Sequence, residues 1–146
     1  YEFAKKNKVS QIISLGGIPI KGDQDEVYAI TSIPQLSEKI QKIPTVKLIK
    51  EGATTGITGV LLAKGAIDKY PVISLLAESQ EGYMDPKAAA MVLEVLNRLI
   101  NIKIDTTELE EEAKLIDNKV KNIIGKAKEV HNEYKKVQEN MGPMYG

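Results

Sequence analysis

PVISLLAESQEGYMDPKAAAMVLEVLNRLI, residues 71–100, is the stretch on which the fold turns. Val72 to Ala77 is continuously apolar apart from Ser74 and follows Pro71, the composition of a strand buried on both faces. Asp85 then precedes Pro86, a capping side chain followed by the residue best tolerated at the first helical position. From Ala88 to Ile100 apolar residues recur at helical spacing. A buried strand feeding a capped helix predicts an α/β layer structure, with helices on a mostly parallel sheet and parallel neighbours for this strand.

The same rhythm extends upstream. Val46 to Ile49 reads as a short strand, followed by the small-residue loop Gly52 to Gly59 and an apolar helix from near Val60. Val27 to Thr31 alternates like a strand, and Leu36 to Ile43 has helical spacing until Pro44 stops it. Gln11 to Leu15 is a β-branched run expected to end in a turn at Gly16-Gly17. Tyr1 to Lys8 resembles the last turns of a helix, with Phe3 and Ala4 as an apolar stripe and no capping residue ahead of them. The chain is therefore expected to begin inside a domain.

The last third differs in kind. Thr107 with Glu110 has the spacing of a capping box, and no proline or strong turn signal follows until Gly142-Pro143. Leu109, Ala113, Ile116, Val120, Ile123, Ala127, Val130, Tyr134, Val137 and Met141 recur in alternating steps of four and three, a heptad seam. On a helix of roughly 45–50 Å, at 1.5 Å per residue, that seam is expected to pack against a partner helix in a homo-oligomer. The expected organisation is an α/β domain over 1–104, a long helix over 105–141 and a short tail over 142–146.

Composition removes whole classes of chemistry. Twenty basic and twenty acidic residues balance, so no global field draws the chain to nucleic acid or an anionic membrane. Without cysteine there is no disulfide, thiolate catalysis or thiolate-bound metal, and no apolar run approaches the roughly 20 residues of a membrane helix. A cytoplasmic protein with neither metal nor other cofactor is expected.

Two clusters deserve weighing as sites. Gly52, Thr54, Thr55, Gly56, Thr58 and Gly59 join a strand to a helix, where exposed N–H groups favour anions. The spacing lacks the Gly-Lys-Ser/Thr ending of a phosphate loop and the dinucleotide fingerprint, so close helix–sheet packing is the competing explanation. Glu78, Glu81 and Asp85 follow the strongest strand, a common place for ligands in open α/β sheets. No histidine, serine pair or lysine joins them at a recognisable spacing, and Asp85 has a capping role. His131, the sole histidine, stands among charged neighbours beside the seam. No catalytic residue is assigned. The alternative to a non-enzymatic protein is a small-molecule or nucleotide-binding enzyme or sensor using the Gly52–Gly59 loop with Glu78.

The stretch Leu75 to Ala89, with Gly52 to Leu62 upstream and Leu15-Gly16-Gly17 after the first strand, resembles the archaeal proteasome-assembly-chaperone family. The resemblance runs from about Phe3 to Leu115. It implies a three-layer α/β domain with a nucleoside-phosphorylase-like shape, and a chaperone or adaptor rather than an enzyme. It also implies that an opening strand and its glycine-rich turn are missing before Tyr1.

Met144-Tyr145-Gly146 resembles the hydrophobic-tyrosine-any tails (HbYX motif) of proteasome activators and some assembly chaperones. The resemblance implies docking in pockets between α subunits of the proteasome core particle. Met144 would fill an apolar slot, Tyr145 would add a ring and a hydroxyl donor, and a Gly146 carboxylate would meet a basic group.

Overall fold

The computed structural model describes residues 1–22, 26–52, 54–81 and 84–140, with side chains described as far as residue 127. Two compact units divide after Glu110. The first contains α1 (Glu2–Lys6), β1 (Ile12–Ile20), β2 (Val27–Thr31), α2 (Pro34–Ile40), β3 (Val46–Leu48), α3 (Gly56–Asp68), β4 (Val72–Gln80) and α4 (Pro86–Ile100). The long helix α5 (Thr107–Asn140) begins at its end.

One sheet of four strands runs in the order β1-β4-β2-β3. The apolar run of β4 earns its interior position: Val72, Ile73, Ser74, Leu75 and Ala77 are completely buried. β1 lies parallel to β4 from Ile12 opposite Val72 to Ile20 opposite Gln80, and β3 lies parallel to β2. The sheet is thus mostly parallel, but β2 runs antiparallel to β4, which corrects the expectation of parallel neighbours on both sides. The connection from Ile20 to Val27 is too short for a crossover helix, so the chain reverses between β1 and β2. β4 later enters between them after α3.

Period-two alternation sorts β4 between two helical layers. Ile73, Leu75 and Ala77 join Val27 and Ala29 of β2 against Leu36 and Ile40 of α2 and Ala88, Val92, Val95 and Leu99 of α4. Val72 and Ser74 face the other way, towards α3. There Gly65 lets the helix approach so closely that an added Cβ would lie 2.6 Å from Val72 Cγ2 and 2.9 Å from the Tyr70 carbonyl. The result is the expected three-layer α/β domain.

Several boundaries differ from expectation for identifiable reasons. β1 does not stop at Gly16-Gly17 but continues to Ile20, with Gly16 opposite Leu76 and Gly17 opposite Ala77. The glycines permit close side-chain approach rather than a turn, since a Cβ on Gly17 would lie 2.6 Å from Ser79 Oγ. α3 starts at Gly56 rather than near Val60, after an extended Thr55. Phe3 is 77% exposed while Ala4 is buried, so α1 carries no apolar stripe.

The start of α5 is also shifted. Asp105 Oδ1 accepts from the Thr107 N–H at 3.0 Å and from its hydroxyl at 2.6 Å, while the Thr106 hydroxyl donates to Glu110 Oε1 at 2.9 Å. The capping groups are therefore Asp105 and Thr106, and Thr107 is already helical. These bonds hold the Asp105 carboxyl below its ordinary pKa, the Thr107 hydroxyl contributing most.

Candidate functional surfaces and family membership

The Gly52–Gly59 segment separates into two jobs. Gly52, Thr54, Thr55 and Thr58 line a cavity of about 680 Å³ beside the α3 face of the sheet, together with Gly16, Ile18, Ile30, Lys50 and Leu76. Its size lies within the ordinary range of ligand pockets. Ser14 and Thr58 share a hydroxyl hydrogen bond of 2.8 Å that ties β1 to α3 near this cavity. Gly59 belongs to packing: an added Cβ would lie 2.7 Å from the Thr54 carbonyl oxygen. Gly56, at φ +68°, supplies backbone that a larger residue would strain.

Glu78 is not among the residues lining that cavity. Its Oε1 accepts from the Tyr28 hydroxyl at 3.1 Å and its Oε2 from the Glu26 N–H at 3.2 Å, pinning β2 to β4. Desolvation, and then the hydrogen bond to Glu78, raise the Tyr28 pKa. Asp85 is structural on both oxygens: Oδ1 accepts from the Ala88 N–H at 3.0 Å and Oδ2 from the Gln80 N–H at 2.8 Å. One carboxylate therefore caps α4 and fixes the end of β4. The acidic trio does not converge on a common reacting point, and Glu81 is exposed.

A cluster missed by sequence reasoning joins α1 to α3. Asp68 accepts from the Tyr1 hydroxyl at 2.9 Å and from Lys5 Nζ at 3.1 Å. The Tyr1 pKa is pushed up to about 12, by desolvation first and then by the bond to Asp68. The residues are too far apart in sequence for local spacing to reveal them.

Along α5, Ile116 is half-buried, while Val120 and Ile123 are exposed, Ile123 at 67%. Ala127 is exposed as well. Val130, Tyr134, Val137 and His131 lie on the described helix but beyond the described side chains. Met141 and the tail Met144, Tyr145 and Gly146 lie outside the described residues. Among the described residues, no group of His, Asp and Glu is placed to hold a metal, and no helix is long and apolar enough to cross a membrane.

A mostly parallel four-stranded sheet between two helical layers, with Gly16 and Gly17 on the strand beside β4 and, among the described residues, no convergent acid–base constellation, defines a three-layer α/β fold. The PAC2 family model matches residues 1–124, and the chain belongs to the PAC2 family. An uncharacterized protein of Methanocaldococcus jannaschii is 34% identical over 121 residues, 83% of this chain and 49% of the relative.

Among solved structures, Pyrococcus furiosus PbaA, described as an archaeal homolog of proteasome-assembly chaperone, superposes with a TM-score of 0.75 at 28% identity, covering 97% of this chain and 60% of its own. P. furiosus PbaB, described as an archaeal proteasome activator, gives 0.71 at 30% identity over 84% of this chain and 54% of its own. The chain spans about half the length of the curated relatives it matches.

Proposed function

We propose that this chain is a non-enzymatic proteasome chaperone or adaptor that binds the α-ring of the core particle through Met144, Tyr145 and Gly146. The observation that carries the reading is the joint sequence and structural likeness to PbaA and PbaB, whose descriptions name proteasome assembly and activation. The reading places the protein in the cytoplasm, with no requirement for a cofactor, nucleic acid or a membrane.

A short tail buries only one or two large side chains, worth about 2–5 kcal/mol before ordering costs, and binds weakly alone. Oligomerisation through Ile116, Val120, Ile123, Ala127, Val130, Tyr134 and Val137 would present several tails to a ring of repeated pockets. The second tail then binds at a raised effective concentration. Gly142-Pro143 would end the helix and leave the tail extended. Deleting Met144 to Gly146 should abolish core-particle binding in a pull-down while leaving the circular-dichroism spectrum and oligomer mass unchanged. Undiminished capture by the deleted form would refute tail docking.

The 680 Å³ cavity favours one second reading, a small-molecule or nucleotide sensor using Gly52, Thr54, Thr55 and Thr58. Isothermal calorimetry against a nucleotide panel separates the two: heat that disappears in Thr58→Val supports the sensor, and absence of heat removes it.

A further inference from the structure

The ends of α2 and α4 meet at a second cavity, of about 310 Å³, lined by Lys39, Lys42, Ile43, Pro44, Arg98 and Leu99. That volume lies at the small end of the range for ligand pockets. Its apolar floor is recessed, with Ile43 9% and Leu99 4% exposed, while Lys39, Lys42 and Arg98 are exposed. Local bonds hold the segments that carry them. The Ile43 N–H donates to the Ile40 carbonyl at 2.9 Å and the Val46 N–H to the Ile43 carbonyl at 3.1 Å, which fixes the turn bearing Lys42. Asn97 Nδ2 donates to the Ile104 carbonyl at 2.9 Å, and its Oδ1 accepts from the Ile104 N–H at 2.8 Å. The last turn of α4, and Arg98 with it, is thereby tied down where the chain leaves the helix.

Three positive charges converge on this cavity, and no acid lines it. Among the described residues none of the three has an ion pair, although Glu38 adjoins Lys39 and Glu94 stands one turn before Arg98. Lys39 and Arg98 lie in the last turns of their helices, where a cation complements the macrodipole. That role accounts for each cation singly. It does not account for two helices ending on one cavity, or for Lys42, outside either helix, adding a third charge there. Like charges gathered in this way repel one another, and an anionic partner reverses that cost.

We propose that this cavity receives an acidic peptide segment of a partner protein, an apolar side chain entering over Ile43, Pro44 and Leu99 while flanking carboxylates meet Lys39, Lys42 and Arg98. Cations on α2, on the turn after it and on α4 suit several carboxylates spaced along a chain better than one small ion. Arg98 can hold a carboxylate on two N–H groups, and the lysines act as point charges. With Ile43 and Leu99 recessed, the cavity offers a bilayer no protruding apolar face, and no aromatic residue lines it to stack a base.

The test is fluorescence anisotropy of the full chain with fluorescein-labelled Gly-Glu-Glu-Leu-Glu-Glu-Gly, at about 50 mM salt to limit screening. The triple variant Lys39→Gln, Lys42→Gln, Arg98→Gln should bind the peptide at least about tenfold more weakly, and Arg98→Gln alone about threefold. Lys21→Gln, an exposed cation elsewhere, should bind as the unmodified chain does. A peptide with serine in place of its leucine should bind about fivefold more weakly, because the apolar floor then goes unfilled. All three cations are exposed, so the variants should keep the thermal midpoint of the unmodified chain. No binding of the peptide by the unmodified chain, or equal binding by the triple variant, would overturn the proposal. Sedimentation of the unmodified chain but not the triple variant with phosphatidylserine vesicles, with the peptide left unbound, would assign the cations to a membrane and overturn it as well. The assays contain no core particle and the variants leave α5 and the tail unchanged, so failure here leaves the proteasome reading untouched.

Discussion

Asp85 shows how much one carboxylate can organise. Its two oxygens take the Ala88 and Gln80 N–H groups, so Asp85→Ala should destabilise the domain by about 1–2 kcal/mol, the usual range for a lost N-cap, in urea unfolding. A loss below about 0.3 kcal/mol would show that solvent replaces both bonds. Asp68 supplies a pH test. Hydrogen bonds from Lys5 and then Tyr1 lower its pKa, so its contribution is present above the unfolded value of about 3.9 and fades as pH falls through the lower folded value. Asp68→Asn should therefore reduce stability near pH 6 and cease to matter at the acid end. An equal loss at both pH values would contradict the assignment.

At the scale of elements, Gly65 opposes helix propensity to packing. Alanine would favour an isolated α3 by about 0.5–1 kcal/mol, but its Cβ would press on Val72 Cγ2 and the Tyr70 carbonyl, where overpacking costs about 1–3 kcal/mol. Packing should win, giving Gly65→Ala a lower thermal midpoint; a higher one would mean that α3 can retreat from the sheet. On α5, Ile123→Asp should lower the solution mass measured by light scattering if the heptad seam holds copies together. An unchanged mass would remove that seam from the oligomer.

The elements were largely legible because β4 and α4 carry redundant local signals: a continuous apolar run, then Asp85-Pro86, then helical spacing. Gly16-Gly17 misled because the same dipeptide serves a turn and a close side-chain approach, and only Ser79, far along the chain, distinguishes them. The antiparallel pairing of β2 with β4 was hidden for a related reason: the short Ile20–Val27 connection reverses the chain, but only the long-range insertion of β4 between β1 and β2, parallel to β1, makes β2 its antiparallel neighbour. The site was less legible than the fold. Glu78 looked available for a ligand until Tyr28 and the Glu26 backbone occupied its oxygens, contacts that sequence separation conceals.

At the scale of the molecule, PAC2 membership and the likeness to PbaA and PbaB join a sheet-centred domain to a long helix with heptad periodicity. The proposed work of this architecture is presentation: the domain and helix set the number and spacing of tails, and the tails carry the contact. The most direct measurement is a native-gel shift of purified archaeal core particle with the intact chain and with Tyr145→Ala. The account predicts a shifted band for the intact chain that is lost in the variant, with oligomer mass unchanged. A shift of equal size with both proteins would contradict tail docking, and no shift with either would contradict the proteasome partnership itself.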